Sequence, residues 1–238
     1  MQNPQANNSS EHMLDEMGEF HIGMTLHNPK TRDLAEIFGT SQDKLRDAND
    51  KERARWRDFM RASAGQAYMD SLLDQAIREL HSRVLAANGN DHSAPALRLL
   101  FPSGLADMIR RPSREEARQA ERVESFAGEA GYEAFAAEFV AVADAREALE
   151  KTLAEVAEKE AAHTRAFAAE LAARQEWVLA YERNYGRLVE RLGRRALADR
   201  YFRKTDRRRS HGNEQPGAPK PPIPAPAAPA GTPESPAA

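Results

Sequence analysis

The chain contains no cysteine among its 238 residues. That excludes disulfides, thiolate metal ligands, iron–sulfur clusters and a cysteine nucleophile. It also lacks any uninterrupted apolar run of about 18 residues, the length that a helix needs to cross a bilayer. The glycine-bearing loops of common enzymes are missing as well: no G-x-x-x-x-G-K-[ST], no G-x-G-x-x-G, no G-x-S-x-G, and no H-E-x-x-H on a helix. The first basic residue is Lys30, so the start has no positive segment leading into an apolar one, and the expected location is the cytoplasm.

Strand signals are scarce too. Apolar residues recur at intervals of three and four instead of two, which predicts an all-α fold. The pattern is a helical bundle containing one long coiled-coil-like helix, or an antiparallel helical hairpin, with disordered ends. Proline is concentrated: 9 of the 14 prolines fall within Pro216 to Ala238, where 7 more positions are alanine. Such a stretch cannot bury a core. The expected division is a disordered segment over 1–28, one helical domain over 29–204, and a basic then Pro/Ala-rich tail over 205–238.

Charge is unevenly placed. Met1 to Glu182 carries 22 basic and 32 acidic side chains, whereas Arg183 to Arg209 carries 11 basic and 3 acidic. The folded part therefore ends in a positive pole on an acidic body, a feature that bears on partners and not on fold.

Along the chain, Asn28-Pro29 reads as a helix entry, followed by Leu34, Ile37 and Phe38, with a bend expected near Gly39. Leu45, Ala48, Trp56, Phe59 and Met60 continue one face to about Arg61. Ser63 and Gln66 fit a capping box that opens a second helix, with Met69, Leu72, Leu73, Ala76, Ile77, Leu80 and Val84 on its apolar stripe. Asn88-Gly89-Asn90 ends it. The stretch from Asp91 to Pro112 holds four helix-limiting residues, yet Leu97, Leu99, Leu100, Phe101, Leu105, Met108 and Ile109 make it too apolar for a solvated loop, so it is expected to pack over the ends of neighbouring helices. Ser113 to Glu116 forms another capping box, opening a helix to about Ala127.

From Tyr132 to Tyr185 there is neither glycine nor proline, and Ala, Glu, Leu, Arg and Lys dominate. A single helix reaching Ala196 would extend about 95 Å. Its seam of Phe135, Phe139, Val142, Leu149, Leu153 and Val156 thins to alanines around Lys159 to Thr164, where either continuous packing or a hinge between two antiparallel helices is open, and Phe167, Leu171, Trp177, Val178, Tyr181, Tyr185, Leu188 and Leu192 are expected to resume it. Trp56, Trp177, Tyr181 and Tyr185 are expected in the core. Tyr201-Phe202 either docks back or meets a partner.

Glu160 and His163 form one E-x-x-H step, a di-iron bundle element. Such a site needs two steps and further carboxylates, so the expectation is no metal and no cofactor. The functional expectation is a non-enzymatic bundle acting through protein–protein contacts and self-associating. The alternative is a nucleic-acid or anionic-surface binding module. Its contact segment would comprise Arg194, Arg195, Arg200, Arg203, Lys204, Arg207, Arg208 and Arg209, chosen because guanidinium groups bind phosphate or carboxylate in pairs. P-x-x-P steps from Pro219 to Pro229 suit an extended polyproline conformation that a reader domain with an aromatic groove could take.

Overall fold

The structure is a computed structural model that describes residues 9–203. Everything regular in that span is helical, and no strand occurs among the described residues. A π-helical turn, His12–Gly18, runs into α1, Glu19–Leu26. Next come α2, Arg32–Ala87, α3, Pro95–Leu100, α4, Leu105–Met108, and α5, Ser113–Glu124. A short 3-10 turn, Glu133–Phe135, leads into α6, Ala136–Leu192, followed by α7, Arg195–Ala198, and a final turn, Asp199–Tyr201. No described helix is long and apolar enough to span a membrane.

The frame is an antiparallel hairpin of α2 and α6. Its register is read from cross-pairs: Asp33 with Arg191, Trp177 with Gln42, His163 with Glu52, and Glu138 with Arg83. On α2 the residues facing α6 recur every seven positions through Phe38, Leu45, Glu52, Phe59, Gln66, Leu73 and Leu80. On α6 they do so through Val142, Leu149, Val156, His163, Glu170, Trp177 and Asn184. At 57 residues α6 spans about 86 Å. A helix that long needs lateral support.

Support comes at the two ends, each with its own core. At one end Leu73, Ile77, Leu80 and Val84 of α2 pack with Leu97, Leu100, Phe101 and Met108, with Ala117, Ala120 and Val123 of α5, and with Phe139, Val142 and Leu149 of α6. At the other end Met13, Leu14 and Met17 of the π-helical turn join Leu34, Phe38 and Leu45, Trp177, Tyr181 and Leu188, and Tyr201 and Phe202. Each fully buried large apolar side chain is worth about 1.5 to 3 kcal/mol.

Several expectations are corrected. Within the segment expected without order, residues 10–26 are helical, with Met13, Leu14, Met17 and His21 buried. Their spacing of three and four is a helix signal that the surrounding Asn, Ser, Glu and His obscure. The disorder expected for 1–8 and 205–238 lies outside the described residues.

Helix α2 runs unbroken through Gly39 and through Ser63–Gln66. One glycine costs about 1 kcal/mol in a helix interior, less than the burial of Phe38 and Leu45 around it returns. Asn28 starts a turn before the helix, accepting from the Lys30 N–H at 3.0 Å, and the helix itself begins after Thr31. Likewise α6 passes straight through 159–164 and stops at Gly193, whose φ of 69° suits a left-handed helix exit. The box at Ser113 opens α5 as expected but does not cap it. The Ser113 hydroxyl accepts from Gln66 Nε2 at 3.3 Å, and the Glu116 side chain is turned into the protein. Trp56, placed in the core from its helical spacing, is 48% exposed, and Met60, Phe167 and Leu171, expected on apolar faces that pack, are exposed as well, because each lies beside the line of contact between the two long helices.

Candidate interaction surfaces

At the end where α2 starts, polar groups knit three elements into an aromatic core. Gln42 Nε2 donates to the Leu14 carbonyl at 2.9 Å, while its Oε1 accepts from Trp177 Nε1 at 2.7 Å. The π-helical turn can reach this amide because Gly18 has no side chain; a Cβ there would collide with the Gln42 carboxamide. His21 stacks on Phe202 at 4.6 Å between ring centres and meets Phe38 edge-on at 4.9 Å. Its Nδ1 donates to the Tyr201 carbonyl at 3.1 Å, so Nε2 is left to accept from Asn184 Nδ2 at 3.1 Å. Burial pushes the imidazole down to about 4, against the smaller opposing effect of the Tyr201 hydrogen bond. A neutral, fully enclosed histidine has no route to a ligand and serves packing.

That core answers the question left at Tyr201-Phe202: both residues dock back and are buried. It also changes the positive pole. Arg191 makes a bidentate pair with Asp33 and donates to the Lys30 carbonyl, and Arg203 pairs with Glu16 at 3.1 Å. Arg194, Arg195 and Arg200 are exposed on the short turns after α6. Lys204, Arg207, Arg208 and Arg209 lie outside the described residues.

Glu160 and His163 share a helix but do not act together. His163 Nε2 bonds instead to Glu52 Oε1 on α2 at 2.9 Å, and its ring stacks parallel to Phe59 at 6.1 Å. The pair fixes register in the middle of the hairpin. Among the described residues no group of three or more His, Asp or Glu side chains is placed to hold a metal ion.

Two buried acid clusters escaped the sequence reading, since each joins residues far apart in the chain. Ser10 donates to Glu170, whose Oε1 also accepts from Arg174 at 2.6 Å, pinning the start of the described chain to α6. At the opposite end Glu116 of α5 faces Asp70, Asp74 and Arg78 of α2. Burial first, then the hydrogen bond and the like charge of Asp74, raise its carboxyl to about 8. Oε1 of Glu116 and the Oδ1 atoms of Asp70 and Asp74 meet no hydrogen-bond partner. Burial and the neighbouring Asp74 thus favour the protonated form of Glu116, whose acid proton can be shared with Asp74 where α5 meets α2.

The middle of the hairpin also exposes large apolar side chains. Between the two end cores the hairpin is only two helices thick, and there Trp56 is 48%, Met60 45%, Phe167 47% and Leu171 38% exposed. Trp56 and Phe167 each lie four residues after a seam position, Met60 and Leu171 one residue after. At about 100° per residue these positions turn roughly 40° and 100° from the seam, and antiparallel helices send them to the same side. An open pocket of about 370 Å³ extends this side, lined by Gln66, Pro112, Ser113, Leu153, Val156 and Glu160 among others.

No protein-family model, curated protein or solved structure matches the chain. Its class rests on its own geometry: an all-α antiparallel hairpin of two long helices, with a separate hydrophobic core closing each end.

Proposed function

We propose that the chain is a non-enzymatic helical scaffold that works through protein–protein contacts, associates with itself and acts in the cytoplasm. The observation that carries this reading is the half-exposed apolar set Trp56, Met60, Phe167 and Leu171 on one side of a thin hairpin whose two ends are fully packed. Large apolar side chains gathered on one side of a helix pair are costly unless something covers them. The seven-residue spacing of the facing side chains is that of a coiled coil, and the absence of phosphate-cradling, dinucleotide and nucleophile loops favours contact over catalysis. Sedimentation of the purified full chain over a wide concentration range tests it: reversible association is expected, and a monomer throughout would refute self-association.

The second reading is an anionic partner for the basic segment. Exposed Arg194, Arg195 and Arg200 favour it, and the internal pairing of Arg191 and Arg203 weakens it. If Arg207, Arg208 and Arg209 complete a phosphate-binding strip that neutralises five or six phosphates, log K for DNA should fall with log salt at a slope of about −5. Replacing those three arginines by glutamine should then shrink the slope by about 3, and an unchanged affinity would dismiss the strip. The Pro-rich tail is proposed as a ligand for a polyproline-reading domain, to be tested by pull-down with and without residues 216–238.

A further inference from the structure

The exposed middle of the hairpin is bounded, and its bounds have a size. On one side of the groove between α2 and α6 lies the π-helical turn region, which ends its contact with α2 where Glu11 pairs with Arg53. On the same side α5 begins its contact where Ser113 accepts from Gln66. Glu116 against Asp70 and Asp74 and Arg146 against Glu124 place the rest of α5 on that side too, as seam-plus-one and seam-plus-four positions. From Arg53 to Gln66 is 13 residues of helix that no other described residues cover on this side, about 20 Å at 1.5 Å per residue. The hairpin is thus a saddle with a raised block at each end. Trp56, Met60, Leu153, Val156 and Ala157 form its floor, and Phe167 lies at one edge.

We infer that this saddle is a self-association surface on which a second copy of the chain sits crosswise, the two-helix middle of each copy seated between the end blocks of the other. The inference rests on the self-association proposed above and adds the surface and the geometry. Two observations select a second copy. First, two helices side by side, each about 10 Å across, make a bar about 20 Å wide, which is the opening itself; lengthwise stacking is blocked because end block would meet end block. Second, the charges are complementary between the two helices. On the saddle side itself, turned the same way from the seam as Trp56 and Met60, α2 presents Arg53 and Arg57 whereas α6 presents Glu150 and Glu160. A two-fold crossing lays each helix across both helices of the other copy, and at the two α2–α6 crossings these arginines meet these glutamates.

The floor offers roughly 20 Å by 20 Å, or about 800 Å² over both copies before the block walls add to it. That is less than the roughly 1,200 Å² at which specific interfaces begin, so the contact depends on the area that the block walls add and the dimer should be weak. The test is sedimentation velocity of the full chain from about 1 to 200 µM, with acrylamide quenching of tryptophan fluorescence alongside. Trp177 is sealed in its core and gives a constant background, so quenching reports Trp56. Dimer should grow with concentration while quenching falls, and W56E with M60E should stay monomeric with unchanged helicity. I37E, an equally exposed apolar site outside the saddle, is the control and should dimerise normally. A dimer that survives W56E and M60E would leave self-association standing and overturn the saddle. A wild-type monomer with Trp56 open to quencher would overturn both. A monomer with Trp56 shielded would mean that the saddle is filled by the same chain, which also overturns the second copy.

Discussion

Replacing Glu116 by glutamine should make the protein more stable, and by an amount that depends on pH in a defined way. Glu116 titrates near 4.5 in an ordinary setting and near 8 in the fold, because burial and Asp74 disfavour its charge. Between these values the folded chain holds a proton that the unfolded chain has released, so folding stability falls as pH rises through this window. Each pH unit is worth about 1.4 kcal/mol. At pH 7.5 the handicap is therefore about 3 to 4 kcal/mol if Asp70 and Arg78 keep their places, and less if they adjust. Glutamine has nearly the same shape, and its amide N–H can donate to Asp74 in place of the acid proton. E116Q should gain about 2 to 4 kcal/mol over the wild type at pH 7.5, roughly 4 to 16 °C in Tm for a domain of this size. At pH 4.5 the gain should vanish. Urea denaturation followed by circular dichroism at several pH values checks both ends. A constant difference between the two proteins at all pH values, or a destabilised E116Q at pH 7.5, would refute the shared-proton account.

The His21 imidazole titrates near 4, so protonation of the unfolded chain should remove about 2 to 3 kcal/mol as pH falls from 6.5 towards 4; acid unfolding curves of wild type and H21Q, compared over that window, should diverge. Gly18→Ala should cost about 1 to 3 kcal/mol by forcing the Gln42 amide away from Leu14 and Trp177, whereas Gly39→Ala, with open space at its Cβ, should be neutral or stabilising in the same thermal melt. Leu80→Ala should lose about 2 to 5 kcal/mol, with Leu72→Ala losing clearly less because its side chain is only partly buried; equal losses in chemical denaturation would mean that the helical face is misassigned.

The particular residues show why some features were legible in advance. The helical periodicity of Leu73, Ile77, Leu80 and Val84, and the gap-free stretch from Tyr132 to Tyr185, are local properties that any chain partner would leave intact. Asn88-Gly89-Asn90 is equally local: Gly89 and Asn90 adopt positive φ values of 66° and 63°. The segment around Met13 and Met17 was misread because composition averages over both faces of a helix, and its polar face is what composition sees. Trp56 was misread for the converse reason. Its spacing places it on the edge of an apolar stripe, and whether an edge is covered depends on a third element that happens to stop at Arg53 on one side and start at Gln66 on the other.

The sequence alone determined the all-α class, the helical character of the glycine-free stretch from Tyr132 to Tyr185, helix ends such as Asn88-Gly89 and Ser113, and the core residues near Leu80, since these follow from period, propensity and turn chemistry over a few neighbouring positions. Tertiary structure decided the rest. Whether a glycine or a capping box breaks a helix, which glutamate carries a proton, which arginines stay free of internal partners and which aromatic remains outside all depend on residues more than a hundred positions apart in some cases, as with Gln42 and Trp177 or Glu52 and His163. Those pairings come from the register of two antiparallel helices, and a local pattern carries no record of the helix it will face.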